Sequence, residues 1–269
     1  MDLTLMELLS YATVRIECTT KNNQITAGTG YLFEFKQNEE TNSHTPVIIT
    51  SKQVIRDAEK GKLIFTRENM DGDPDDKKHY KVSLSKFEEK WTMHPDADVD
   101  LCALPIESYL LKARAKGQEL FYAPLEILMI PTEEEINDLN AMEEIVTVGY
   151  PDGFWDSINN KAVFRKGVTA TRPKLDYNGK KEFMIDTACI PGTSGSPVLI
   201  VNENGYFDRN GNRYPDEMRL LFLGTLIAAP QVTTDAVDVP TPQVASSNSP
   251  SNFGLVIKSS RIVELEALF

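Results

Sequence analysis

Apolar and polar residues alternate along much of the chain, in short runs with the period of two that puts successive side chains on opposite faces of a strand. Val14-Arg15-Ile16-Glu17-Cys18 is one such run. Residues 25–35 make another, opened by the small residues Ala27-Gly28-Thr29-Gly30 and continued by Tyr31-Leu32-Phe33-Glu34-Phe35. Pro46-Val47-Ile48-Ile49-Thr50, rich in β-branched residues, reads as a buried strand. The same reasoning predicts strands at 62–66, 79–87, 100–105, 144–149, 163–171, 183–187, 197–201, 220–228 and 254–257, each bounded by Gly, Pro, Asn or Asp. Helical periodicity is sparse. Leu3, Leu5, Met6 and Leu9 predict a short amphipathic N-terminal helix, and Ile262, Leu265 and Leu268 a C-terminal one over 259–268. Thr132, followed three residues later by Glu135, has the pattern of a capping box. Many short strands and few helices predict an all-β barrel or sandwich, with 108–122 the best place to divide the strands into two groups.

Composition narrows the partners. The chain has 269 residues, 41% hydrophobic and 25% charged, as in an ordinary globular protein. Lys plus Arg number 28 and Asp plus Glu 40, a net charge of −12 that argues against nucleic acid and against an anionic membrane. Cys18, Cys102 and Cys189 are far apart with no C-x-x-C, so neither a disulfide framework nor a structural zinc site is expected. The N-terminus has no basic leader region, and no apolar run reaches the length of a membrane span. With the unpaired cysteines, this leads to the expectation of a cytoplasmic protein without cofactor or metal. The acidic stretch Asp71-Gly72-Asp73-Pro74-Asp75-Asp76 lacks EF-hand spacing and reads as a solvated turn, an isolated calcium site being the minor alternative. Residues 231–252, rich in Val, Thr, Ser, Pro and Asn, read as a mobile surface excursion.

The segment richest in chemistry is Pro191-Gly192-Thr193-Ser194-Gly195-Ser196-Pro197-Val198. A nucleophilic serine needs an exposed hydroxyl and nearby backbone N–H groups for the developing oxyanion, and flanking glycines let the backbone turn those groups inward. Alone, the pattern fits an ordinary turn equally well.

Two further segments change that balance. The serine turn resembles the G-[DN]-S-G-[GS]-P signature of the trypsin-like (chymotrypsin-fold) serine proteases. Asp98-Val99-Asp100-Leu101-Cys102-Ala103-Leu104 resembles that family's strand carrying the triad aspartate, here Asp100. Ile48-Ile49-Thr50-Ser51-Lys52-Gln53-Val54-Ile55 resembles its [LIV]-[LIV]-T-x-x-H-V segment. The order 53, 100, 194 is that of the family as well. The resemblance implies two packed antiparallel six-stranded β-barrels with short terminal helices, divided as 1–115 and 116–269. Gln53 and Asp100 would come from the first barrel and Ser194 from the second.

The family's histidine position holds Gln53. A carboxamide has no proton to exchange near neutral pH and cannot relay the serine proton, though it can hydrogen-bond to Ser194 and Asp100. His44, His79 and His94 occupy no position marked by the resemblance and read as solvated surface residues. The chain therefore reads as a serine endopeptidase framework that is inactive as written, through engineered inactivation or as a native pseudoprotease. A noncatalytic peptide-binding or regulatory module, and a scaffold without peptide ligand, are the alternatives. The resemblance further implies an oxyanion hole from the N–H groups of Gly192 and Ser194. Ala188, Ala229 and Gly254 become pocket walls, small and uncharged, which favours an apolar substrate side chain; Asp186 would reverse this if it stood at the pocket. Thr193 in place of an aspartate, with the Met1 start, argues against activation by N-terminal cleavage, and the chain looks closer to intracellular bacterial members. Residues 231–252 could fold over bound substrate. Cys102, Cys189, Trp91 and Trp155 read as packing residues. The implied partners are a protein or peptide substrate and a protein activator or regulator, the latter because a cytoplasmic protease needs restraint.

Overall fold

The computed structural model describes residues 2–38, 43–152, 154–227 and 251–269. The chain opens with α1 (Leu5–Leu9), capped reciprocally by Thr4 and Glu7. There follow β1 (Thr13–Thr20), β2 (Ile25–Asn38), β3 (Ser43–Thr50), the one-turn α2 (Lys52–Ile55), β4 (Ala58–Glu68), β5 (Pro74–Ser85), β6 (Thr92–Met93) and β7 (Cys102–Pro105). Next come α3 (Glu107–Arg114), β8 (Leu120–Phe121), β9 (Leu125–Glu126) and α4 (Glu133–Asp138), which starts at the Thr132–Glu135 capping box. The second half contains β10 (Glu144–Gly149), β11 (Val163–Thr169), β12 (Glu182–Cys189), β13 (Pro197–Asn202), β14 (Tyr206–Phe207), β15 (Arg213–Tyr214), β16 (Arg219–Ile227) and β17 (Ser251–Lys258).

In the second half, β10-β11-β12-β17-β16-β13 close into a six-stranded antiparallel barrel, as expected, with β14–β15 a separate hairpin. The first half differs. Its seven strands follow the path β5-β4-β1-β2-β3-β7-β6, β8 and β9 from beyond residue 115 add to β4 and β2 to make a nine-stranded sheet, and no ladder among the described residues closes the ring. The β2–β9 pair is parallel, because the chain returns through α3 before it meets β2.

Alternation explains how the two halves stay together. On β3, Ile48 packs inside the first sheet with Ile16, Leu63 and Cys102, while Val47 and Ile49 face the other way. There they meet Val146, Val148, Leu199, Phe222 and Ile257 of the second half in one shared core. Ile145, Val198 and Ile200, on the opposite faces of β10 and β13, fill the interior of the closed barrel. Apolar burial thus continues across the junction and holds the strands of the two halves in a fixed register. Buried polar contacts cross it too, among them the one between the Tyr31 hydroxyl and Thr225 Oγ1 at 2.8 Å. Tyr31→Phe leaves the Thr225 hydroxyl buried without its partner. It is expected to lower stability by about 1–2 kcal/mol, read as a lower urea midpoint at unchanged slope.

Several local expectations are revised. Residues 259–268 form two 3₁₀ segments, Ser259–Arg261 and Val263–Leu268, in place of an α-helix. Their i→i+3 bonds, Ile262 N–H to Ser259 and Leu265 N–H to Ile262, bury Ile262 and Leu265 and leave Leu268 exposed. Helix α3 falls within the stretch expected only to divide the strands. In the acidic segment, Pro74, Asp75 and Asp76 already belong to β5. Asp76 Oδ1 accepts the Tyr11 hydroxyl at 2.8 Å and pairs with Lys161 at 2.8 Å, a structural role. No helix among the described residues is long and apolar enough to cross a membrane.

Candidate active site

Strand β3 ends at Thr50, and Ser51 caps α2: its Oγ accepts the Gln53 N–H at 3.1 Å. Ile55, fully buried, anchors the other end of this one-turn helix. Pairing of Thr50 with Cys102 brings β7 alongside β3, so Asp100, just ahead of β7, arrives beside the cap. The Ser51 hydroxyl donates to Asp100 Oδ2 at 2.6 Å, and the Gln53 main-chain N–H donates to Oδ1 at 3.2 Å. Burial pushes the Asp100 carboxyl above its ordinary range, while these two hydrogen bonds and the charges of Arg56 and Lys52 pull it back. The Gln53 side chain is exposed. The carboxamide makes neither of the bonds open to it, to Asp100 or to Ser194; the main-chain N–H of Gln53 makes the contact with Asp100 instead, and leaves the carboxylate oxygens with further lone pairs.

The Ser194 turn is built on two left-handed glycines, Gly192 at φ 88° and Gly195 at φ 86°. A Cβ at Gly192 would lie 2.5 Å from the Tyr150 carbonyl oxygen, and one at Gly195 would collide with the Thr29 carbonyl oxygen. The turn is held internally by Thr193, whose N–H and hydroxyl both donate to the Ile190 carbonyl at 3.2 and 2.7 Å. The Gly195 N–H donates to Leu226 at 2.7 Å. Among the described residues, the N–H groups of Gly192 and Ser194 have no acceptor, and the Ser194 hydroxyl has no hydrogen-bond partner.

Thr29, which the sequence did not single out, joins these parts. Its N–H donates to the Ser194 carbonyl at 3.1 Å and its hydroxyl to the Gly192 carbonyl at 2.9 Å. The same hydroxyl oxygen accepts the Tyr150 N–H at 2.8 Å, and the Thr29 carbonyl accepts the Thr50 hydroxyl at 2.7 Å. One buried threonine on β2 thus ties the end of β3, ahead of Gln53, to the turn of Ser194. The signal for it was the Gly28-Thr29-Gly30 run. A Cβ at Gly28 would stand 2.5 Å from Val54 and one at Gly30 2.6 Å from Ile48, so neighbouring chains approach here as only glycine permits. Gln53, Val54, Arg56, Gly192 and Ser194 line one open cleft of about 310 Å³, with Thr20, Thr26, Ala27 and Asp57 on its walls.

The remaining candidates lie elsewhere. Ala188 is half-buried at the end of β12, and Gly254 is buried on β17, where a Cβ would meet Cys189 Sγ and Leu226 Cδ1 at 2.6 Å. Ala229 and residues 231–250 lie outside the described residues. His94 is not a surface residue: its ring is buried, Nδ1 accepts the Asp96 N–H at 3.1 Å and Nε2 meets the Arg261 carbonyl at 3.0 Å. The C-terminal 3₁₀ segment covers it. His79 contacts the Asp76 carbonyl at 3.0 Å and His44 stands 3.6 Å from Glu34. Trp91 is buried edge-on to Phe87, and Trp155 carries the Arg15 guanidinium 4.6 Å above its ring.

All three cysteines are buried and free. The thiols of Cys18 and Cys102 donate to the carbonyls of Val54 and Thr50, on either side of Gln53. Burial pushes Cys18 up to about 12 and Cys189 up to about 11, and Cys102 well above its ordinary value. At pH 8 a thiol near 11 is thiolate to about one part in 10³. Iodoacetamide is therefore expected to leave the native protein unmodified and to add three adducts in denaturant, counted by intact mass.

A family model for the trypsin-like peptidase domain matches residues 28–206, two thirds of the chain, from the Gly28-Thr29-Gly30 run through the Ser194 turn. The chain belongs to the trypsin-like peptidase domain family. Among solved structures, an alanine variant of the HtrA-type protease AlgW with tripeptide is similar to this trypsin-like chain at 12% identity and a TM-score of 0.52. That match covers 96% of this chain and 60% of the other. Deg5 matches at 18% identity and a TM-score of 0.47, over 83% of this chain and 82% of its own. The serine endoprotease from Yersinia pestis matches at 14% and 0.48, over 96% of this chain and 62% of its own. The trypsin-like chain spans about 60% of the length of the first structures it matches. No curated protein matches it.

Proposed function

We propose that this chain carries the framework of a serine endopeptidase acting on protein or peptide substrates, with Ser194 as nucleophile and Asp100 as the orienting carboxylate. Gln53 occupies the general-base position. The observation that carries the reading is the single cleft onto which Gln53 and Ser194 both open, with Asp100 bonded directly behind Gln53. The oxyanion would be held by the N–H groups of Gly192 and Ser194, which have no competing acceptor among the described residues. Ala188, Ala229 and Gly254 are the proposed walls of the substrate side-chain pocket. The working unit is two halves, 1–115 and 116–269, the second reaching back onto the first through β8 and β9.

With glutamine in place of histidine nothing accepts the Ser194 proton, so the chain as written is inactive, whether Gln53 is an engineered change or the native residue of a pseudoprotease. The reading of a noncatalytic peptide-binding or regulatory module draws on the same site: an open cleft, a serine without a hydrogen-bond partner among the described residues, and glutamine at the base position. The free, buried thiols support a reducing, cytoplasmic setting, and restraint of the intact enzyme by a protein regulator completes the proposal. A fluorophosphonate probe tests it. Gln53→His is expected to be labelled at Ser194, and Gln53→His with Ser194→Ala not at all. An unlabelled Gln53→His protein that still binds peptides saturably decides for the module.

A further inference from the structure

Arg165 lies on β11 where the residue after next on either side is also turned inward. Along this strand the odd-numbered residues are the less exposed set, while Phe164 and Lys166 face solvent. On β12, Phe183, Ile185, Thr187 and Cys189 turn inward, and Asp186 stands on the exposed outer face. The β11–β12 pairing of Val168 with Asp186 and Thr169 with Ile185, followed back along β11, brings Arg165 level with Cys189. Both charges reach the Cys189 thiol, Arg165 favouring its ionised form and Asp186 opposing it. Gly254 pairs with Ile185 and faces the same Cys189 sulfur from β17. Arg165, Cys189 and Gly254 therefore share the inner face at one end of the closed barrel, beside Ala188 and five residues ahead of Ser194.

In this protein of net charge −12, the Arg165 side chain has no ion pair and no hydrogen bond among the described residues, and its Nη1 is fully buried without a partner. Asp186, the adjacent carboxylate, is on the other face and does not pair with it. A buried guanidinium nitrogen without an acceptor is costly, and a carboxylate that enters beside it relieves that cost with a charge-assisted hydrogen bond. We infer that Arg165 makes the site selective for an acidic substrate residue, Glu or Asp, on the acyl side of the scissile bond. This rests on the proposed function in one respect, that Ala188 and Gly254 border the substrate side-chain pocket. It replaces the apolar preference suggested by the small walls.

Binding to the chain as it exists tests the inference without requiring catalysis. Acetylated tri-alanyl peptide amides ending in Glu, Gln, Leu or Lys are titrated calorimetrically at pH 7. The Glu peptide is expected to bind about 10- to 100-fold more tightly than its Gln isostere. Arg165→Gln is expected to bring the two within about twofold, and Arg165→Lys, which keeps the charge and guards against a folding defect, to retain part of the preference. Equal binding of Glu and Gln, or a Glu preference that survives in Arg165→Gln, overturns the inference. So does Gln53→His cleaving after Leu or Lys in preference to Glu, an outcome that leaves the protease reading intact. No binding of any peptide together with no cleavage by Gln53→His overturns both.

Discussion

Gln53→His is expected to raise kcat/KM on an unstructured protein substrate by a factor on the order of 10⁵–10⁶, since loss of the base in a serine triad costs about that much. The surroundings for an imidazole are already in place. Asp100 is held from behind by the Ser51 hydroxyl at 2.6 Å and by the residue-53 N–H at 3.2 Å, contacts that do not involve the side chain at 53. A histidine there can point Nδ1–H at the carboxylate and Nε2 at Ser194, whose hydroxyl has no other partner among the described residues. The pH profile follows. Imidazole acts as base only when neutral, so activity appears as pH rises through its pKa. The Asp100 carboxylate favours imidazolium and moves that midpoint above the ordinary ~6.5. Asp100→Asn in the same background is expected to cost about 10⁴ in kcat, because the wrong tautomer is then favoured. A Gln53→His protein that is folded, and as inert as its Ser194→Ala derivative, overturns the assignment.

Gly195→Ala is expected to be severely destabilising for a single added methyl, by about 3–5 kcal/mol. Two costs add. The residue is left-handed, at φ 86°, and its Cβ would run into the Thr29 carbonyl oxygen and the Thr50 hydroxyl. Neither obstacle can swing aside: the Thr29 carbonyl accepts the Thr50 hydroxyl at 2.7 Å, and the Thr29 N–H is bonded to Ser194. At roughly 2–4 °C per kcal/mol for a chain of this size, the melting temperature falls by about 10 °C or the folded protein is not recovered. Gly211→Ala is the control. It has the same backbone hand, φ 84°, but nothing within 4 Å of the added methyl, so only the conformational cost of about 1 kcal/mol remains. Equal losses for the two would mean that the packing between β2 and the Ser194 turn is not as described.

Those two glycines mark the line between what is local and what is not. Strand positions such as β10, β13 and β16, the cap at Thr132, and the glycine turn around Ser194 were legible in the sequence. Each depends on a period of two, or on bonds spanning three or four residues. The three motifs in their order were enough to expect a trypsin-like fold for the same reason: each is a short run whose side-chain chemistry is visible without its surroundings. The open ladder of the first half, the burial of His94 beneath the C-terminal segment, Thr29 as the joint between Thr50 and Ser194, and the main-chain contact of Gln53 with Asp100 were not legible. All of them depend on which strands become neighbours and in which register, over separations of tens of residues or more. The inward face of Arg165 belongs with them. The alternation that turns it inward is readable along β11, but what it meets there is set by the ends of β12 and β17. A charge without an acceptor among the described residues becomes apparent only when the barrel closes around it.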